Sequence, residues 1–149
     1  MPGPHRWRKR FEGHICRWTM PREAILDLLS RTTKHLSAKE IYANLLQIYP
    51  GIGLTTIYRT LDLLEKTGMI KKFNFRQGEN RYEFAGEQRP HHHHLICTSC
   101  GKIIDYSDFA EEELELVEKS AKQLAEKYKF LVQDHNIEFY GLCQQCQKD

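Results

Sequence analysis

The 149-residue sequence has no long apolar run. Nothing in it approaches the roughly 18 consecutive apolar residues a membrane-crossing helix needs, which excludes a transmembrane span. Its opening, MPGPHRWRKRFEGH, is basic and aromatic and lacks the apolar core of a secretory signal, so a cytoplasmic protein is expected. No HExxH helix is present and no substrate pocket is legible. A zinc metallohydrolase, which needs a ligand position open to water and a general base, could offer only Glu83 as that base. There is no low-complexity segment, and the one internal repeat is a duplicated CxxC. Between Cys16 and Cys97 cysteine is absent altogether.

The length sits between one domain and two small ones. Charge divides the chain the same way. Residues 1–85 carry 15 Lys and Arg against 8 Asp and Glu (+7), whereas residues 86–149 carry 7 against 12 (−5). A basic first half suits a module that meets a polyanion, and the acidic second half suits a different task.

The first half reads as three helices and a hairpin behind a basic arm over residues 1–19. Thr19 or Met20 can cap a helix from Pro21, with Ile25, Leu28 and Leu29 on its apolar face. Ser37 and Glu40 form a capping-box pattern before a second helix through Ile41, Leu45 and Ile48, stopped near Pro50-Gly51. Thr55 is the expected cap of a third helix within 54–67, which Gly68 ends. MIKKFNF (69–75) and RYEFA (81–85) flank a turn over 76–80 as paired strands. That order spells a winged helix-turn-helix over residues 1–85, with 54–67 as the recognition helix. Beyond a hinge over 86–90, residues 91–149 read as a small α+β unit. Its expected strands are 92–97, 102–105, 130–132 and 137–142, its long helix is 109–127, and its strand edges invite a second subunit.

Cys97/Cys100 and Cys143/Cys146 are two CxxC turns separated by 42 residues. Two such turns complete an all-thiolate tetrahedral site, the usual chemistry of structural zinc, and metal binding there would couple to folding. Redox disulfides and a thiol-ligated iron–sulfur centre are the alternatives. Cys16 is an unpaired thiol. The run His91–His94 is internal, which argues against a tag. On a strand, His92 and His94 project to one face and His91 and His93 to the other, so one segment can serve two ions. Glu83, Asp105, Asp108 and Glu111 to Glu113 are the acids near enough to complete such shells. His35 and His135 stand alone, as surface or hydrogen-bonding histidines do. Mixed imidazole and carboxylate suits zinc, iron, manganese or nickel. A histidine-rich metal buffer without operator binding remains a second class of reading.

HHHHLICTSCGKIIDY, followed by FLVQDHNIEFYGLCQQC and preceded by HLSAKEIYANL and GLTTIYRTLDLLEKTGMI, resembles the ferric uptake regulator family of bacterial metal-responsive repressors. The resemblance spans roughly residues 20 to 146. It implies a cytoplasmic homodimer with an N-terminal winged-helix DNA-binding domain and a C-terminal dimerisation domain. In such a dimer, bound divalent metal favours the orientation that fits palindromic operator DNA. It places structural zinc on Cys97, Cys100, Cys143 and Cys146. A regulatory metal falls on His35, Glu83, His92, His94 and Asp105, and a further site on His91, His93, Glu112 and His135. His93 stands where many relatives have aspartate. Zinc sensors of the family often place a cysteine near the hinge, which this chain lacks. Asp105 also occurs in the peroxide-sensing branch, but Glu83 departs from the aspartate usual there. Iron is therefore the favoured regulatory metal, ahead of peroxide, manganese or zinc sensing. No catalysis is implied.

On the DNA side, Tyr58 and Arg59 are the expected base readers, with Thr55 and Thr56 reaching phosphate or base edges. Arg6, Arg8, Lys9 and Arg10, together with Lys71, Lys72, Arg76 and Arg81 in and near the wing, are expected to add phosphate or minor-groove contacts.

Overall fold

A computed structural model describes residues 19–75, 78–86 and 91–148 of the chain. The polypeptide divides into two compact units, Met1–Arg89 and Pro90–Asp149. The fold class is α+β, with a winged helix-turn-helix unit first and an α/β unit second. The expected arm, Cys16, Arg76 and most of the expected hinge lie outside the described residues.

In the first unit, helix α1 (Met20–Arg31) follows Thr19 and carries its proline in the first turn, where a missing N–H leaves no orphan acceptor. Its buried face is Ala24, Ile25, Leu26 and Leu29. A two-residue strand, β1 (Leu36–Ser37), runs directly into α2 (Ala38–Leu46). The capping box is formed: Ser37 Oγ accepts from the Glu40 N–H at 3.2 Å, and Glu40 Oε2 accepts from the Ser37 N–H at 2.8 Å. Helix α2 stops earlier than its apolar pattern suggests. The N–H groups of Ile48 and Tyr49 both turn back to the Leu45 carbonyl, leaving Ile48 exposed while Tyr49 packs on the core.

Helix α3 (Leu54–Lys66) is capped by Gly53, not by Thr55. Gly53 has the extended backbone a cap requires, and its carbonyl accepts from Ile57 at 3.2 Å, so Thr55 already lies inside the first turn. Gly68, at φ +74, ends the helix in a Schellman arrangement: its N–H reaches Glu65 O at 2.9 Å and the Met69 N–H reaches Leu64 O at 2.9 Å. The wing is β2 (Ile70–Phe73) antiparallel to β3 (Arg81–Phe84), in the register Ile70↔Phe84 and Phe73↔Arg81. β1 adds to β3 with Leu36↔Tyr82 and Ser37↔Arg81, making three strands in the order β1-β3-β2 where two were expected. Ile25, Leu29, Ile41, Leu45, Ile57, Leu61 and Leu64 are fully or almost fully buried in the core these elements enclose.

The second unit is a three-stranded sheet in the order β5-β4-β6, formed by β4 (His93–Cys97), β5 (Ile103–Tyr106) and β6 (Glu138–Gly141), with helix α4 (Ala110–Tyr128) between the last two. β6 runs parallel to β4, with His94 opposite Glu138 and Cys97 opposite Gly141. A parallel neighbour needs a crossover, and α4 supplies it. Three glutamates, Glu111 to Glu113, occupy the first turn of α4, where the helix dipole favours them. The expected strand over 130–132 is absent. Lys129 takes a left-handed conformation (φ 54) that turns the chain, and Phe130 and Leu131 remain exposed. Leu95, Ile104 and Phe139 lie side by side across the three strands and are also exposed, as are Leu114, Leu116 and Leu124 of α4.

Candidate metal centres and nucleic-acid face

The four paired cysteines converge. Their sulfur atoms all lie within 4.8 Å of one another, and Cys100 and Cys143 approach to 3.7 Å. A disulfide would bring sulfurs to about 2.05 Å. Two thiolates held about 2.3 Å from a tetrahedral zinc sit about 3.8 Å apart, so the observed spacing fits a shared ion. The local fold explains the cluster. Cys97 ends β4, and a tight turn closes with the Gly101 N–H on the Cys97 carbonyl at 3.0 Å, using the φ of +77 that glycine supplies at that position. The Cys143 N–H points at Cys97 Sγ from 3.3 Å. Backbone N–H groups of Cys100 and then Cys143 draw the Cys97 thiol down to about 6, which favours the thiolate that binds metal. The Cys143 thiol is likewise lowered, chiefly by the Cys146 N–H.

The histidine run alternates as a strand dictates. On one face the His92 and His94 rings lie 5.1 Å apart, with Asp105 Oδ2 at 3.9 Å from His92 Nε2 and Oδ1 at 3.7 Å from His94 Nε2. The antiparallel ladder sets this up by pairing His94 with Asp105. On the other face, His91 Nε2 lies 3.1 Å from both His93 Nε2 and His135 Nε2. The loop before β6 delivers His135 to that face.

The acid beside His93 is Glu113, not the expected Glu112. Glu113 Oε2 is 3.2 Å from His93 Nε2, while Glu112 is exposed. Successive helical residues are rotated by about 100°, so only one of the two neighbours can face the sheet. The Tyr106 hydroxyl donates to Glu113 Oε1 at 3.0 Å, and burial together with that bond pushes the phenol up to about 12. His93 also accepts from the Ile137 N–H through Nδ1 at 3.3 Å. Burial, followed by the neighbouring His91, holds the His93 imidazole below its ordinary pKa. With Nδ1 accepting, Nε2 is left to hydrogen-bond His91 Nε2 at 3.1 Å, and the nearby Glu113 Oε2 is buried without a hydrogen-bond partner. Tyr106 and Glu113 are the residues that reading the sequence did not single out. Glu113 was one of three consecutive acids, and no spacing rule distinguishes them before the helix phase is known.

In the first unit, His35 Nε2 meets Glu83 Oε2 at 2.9 Å, and both side chains are buried. An ionisable pair at such depth is costly unless matched by its surroundings.

The outward face of α3 presents Thr55, Thr56, Tyr58 and Arg59, all exposed, while Ile57, Thr60, Leu61 and Leu64 face the core. Lys71 is exposed on β2; Lys72 is ion-paired to Glu65 at 2.9 Å. Arg81 does not stand free in the wing as expected. Its Nη1 donates to the His35 carbonyl at 2.9 Å and to Glu40 Oε2 at 3.0 Å, so the guanidinium is engaged inside the unit. Arg6, Arg8, Lys9 and Arg10 lie outside the described residues. No helix among the described residues is long and apolar enough to cross a membrane.

A winged helix-turn-helix joined in one chain to a unit bearing four convergent thiols and clustered imidazoles defines a metal-binding transcriptional regulator. The chain belongs to the ferric uptake regulator family, whose sequence pattern matches residues 14–140. It is 36% identical over 130 residues to the ferric uptake regulation protein of Legionella pneumophila, covering 87% of this chain and 90% of that protein. With the ferric uptake regulation protein of Bacillus subtilis it shares 35% identity over 144 residues, 95% of this chain and 92% of the relative. Among solved structures it is similar to the Helicobacter pylori ferric uptake regulator, which has three functional metal binding sites. That similarity has a TM-score of 0.74 and 28% identity, over 97% of this chain and 91% of the other. The family consists of non-catalytic regulators, and the chain is not an enzyme.

Proposed function

We propose that this protein is a cytoplasmic homodimeric repressor that binds palindromic operator DNA when a divalent ion, Fe2+ by preference, occupies its regulatory ligands. The observation that carries the reading is the buried His35–Glu83 pair in one unit, together with the His92, His94 and Asp105 group in the other. One ion held by all five residues would favour the relative placement of the units in which the ligands converge. Operator binding gains whatever the ion's differential affinity supplies, and by linkage the operator tightens the ion in return. Imidazole with carboxylate is a donor set that Fe2+, Mn2+ and Zn2+ all accept, so manganese-, zinc- and peroxide-responsive versions of the same switch are the alternatives.

In this reading Cys97, Cys100, Cys143 and Cys146 hold structural zinc. The further site is built from His91, His93 and His135, whose ligand atoms lie within 4.8 Å of one another, with Glu113 beside His93. Tyr58 and Arg59 read bases in the major groove, and Thr55 and Thr56 contact phosphate or base edges. The exposed apolar residues on the sheet and α4 of the second unit supply the homodimer surface.

A band shift tests the reading against a metal buffer that binds no operator. Wild-type protein should retard a palindromic duplex selected from a random pool when Mn2+ or anaerobic Fe2+ is present, and not after treatment with chelator. Equal retardation of operator and random duplex, with and without metal, refutes it.

A further inference from the structure

Arg81 and Glu83 sit two residues apart on β3, hence on one side of the strand, and both engage His35. Glu83 holds the imidazole at Nε2, while Arg81 holds the backbone through the carbonyl. The same Arg81 nitrogen reaches Glu40 Oε2, the atom that accepts the Ser37 N–H in the capping box of α2. The ring itself is enclosed. Phe73 and Phe75 stack at 5.2 Å, and each meets the His35 ring edge-on, at 5.7 and 5.5 Å. With Phe75 fully buried, the imidazole cannot reorient without moving the aromatic pair. Nor can its backbone shift without moving Arg81, and with it the first turn of α2. Helix α2 packs on α3 in the core of the unit, so the first turn of α2 and the outward face of α3 move as neighbours in one packed assembly.

A phosphate contact would hold the guanidinium out in solvent. Instead the Arg81 side chain is 22% exposed, and its Nε is buried with no hydrogen-bond partner. That unpaired donor is a cost the site bears to keep the outer nitrogen between two acceptors. A planar guanidinium meets two acceptors at fixed angles, whereas an ammonium on a flexible stem does not.

We propose that Arg81 is a positioning residue of the metal switch, tying the backbone of the ligand His35 to the N-cap of α2 so that occupancy at His35 is conveyed to the helix pair carrying the DNA face. The inference rests on the metal-dependent repressor reading above.

The test measures operator affinity with and without saturating Mn2+, for wild type, Arg81→Gln and Arg81→Lys, on the duplex selected with Mn2+-loaded wild-type protein. Amide hydrogen exchange over Ser37–Ile41 is followed in parallel on the DNA-free protein. For Arg81→Gln the ratio of the two affinities should fall by about fivefold or more, on the scale of ordinary allosteric couplings. The slowing of exchange that Mn2+ produces over Ser37–Ile41 in the wild type should be lost, and Arg81→Lys should fall between. An equal loss of affinity with and without metal, accompanied by a salt slope lower by about 1, makes Arg81 a phosphate contact and overturns the inference. So does a full wild-type ratio in a variant whose only change is a lower melting temperature, the signature of a passive brace. Should Arg81→Gln fail to fold, Arg81→Lys decides: a reduced ratio supports the coupling and an unchanged one overturns it. If the wild type shows no metal dependence at all, the repressor reading itself has failed, and that outcome is distinct from a failure confined to Arg81.

Discussion

Replacing Cys143 with serine removes one of four convergent sulfurs, and the structure sets the size of the effect. Cys143 and Cys100 are separated by 42 residues that include α4 and β6. An ion bridging them closes a loop of about 44 residues. By the chain-entropy relation for a covalent crosslink, that closure is worth about 4 kcal/mol of folding free energy at room temperature. A domain's whole stability is about 5–15 kcal/mol, so the loss is large. It falls on a unit of modest size, Pro90–Asp149, whose α4 has no buried residue within the single chain. At about 4–8 °C per kcal/mol for a domain of this size, the melting transition of the second unit should drop by about 15–30 °C. Elemental analysis should find about one zinc fewer per subunit in folded Cys143→Ser, and calorimetry should find the displaced transition. Strong chelation of the wild type should reproduce it. A variant that keeps its zinc refutes the four-thiolate assignment. One that loses zinc without a displaced transition refutes the crosslink argument.

The histidines should divide by strand face: His92→Ala, His94→Ala and His35→Ala abolish metal-stimulated operator binding and leave the cysteine-bound zinc in place, as operator and zinc titrations run together will report. His91→Ala and His93→Ala should lower metal occupancy first and DNA binding less; the same modest loss in all four mutants of the run would end the two-face account. Arg59→Ala should weaken operator binding by about 1–3 kcal/mol while sparing random duplex, measured at fixed salt. Tyr106→Phe frees Glu113 Oε1, and loss of such an outer partner should weaken the ion beside His93 by about 10–100-fold in competition with a chromophoric chelator. Because His93 is held below its ordinary pKa in the folded state, the unfolded chain binds the extra proton first as pH falls through the ordinary histidine range. The metal-free protein should therefore lose melting temperature on acidification, and His93→Gln should flatten that part of the profile.

Features governed by neighbouring residues were legible in the sequence. The Ser37–Glu40 box and the Gly68 stop are written in four or five consecutive positions, and the winged order of elements followed from them. The strand alternation of His91–His94 likewise needed only a period of two. What was not legible depends on partners distant in sequence. β1 is two residues long and carries no periodicity; it exists because Leu36 and Ser37 find Tyr82 and Arg81. Phe130 to Val132 has strand composition, yet without a ladder partner it forms none. Thr55 satisfied the usual cap preference, but the backbone had already entered the helix at Leu54. Glu112 and Glu113 differ only in helical phase, which the packing of α4 decides. Arg81 looked like one more wing cation because its two acceptors, His35 and Glu40, lie 46 and 41 positions away.

The parallel pairing of β6 with β4 has a consequence for the order of events during synthesis. The segment His91–Cys100, which contains β4, leaves the ribosome with its four histidines and the first cysteine pair well before residues 138–146 exist. A growing chain that has reached only the end of α4 therefore has an open β4 edge and half of a thiol cluster. An ion captured then could be held only by whatever imidazoles and two sulfurs are at hand. Capture by all four thiols waits until β6 has docked, because the same ladder that pairs Cys97 with Gly141 brings Cys143 into reach. On the four-thiolate reading, metal loading would be timed by strand addition, and metal supplied to the nascent chain too early would populate misloaded species before the sheet could close.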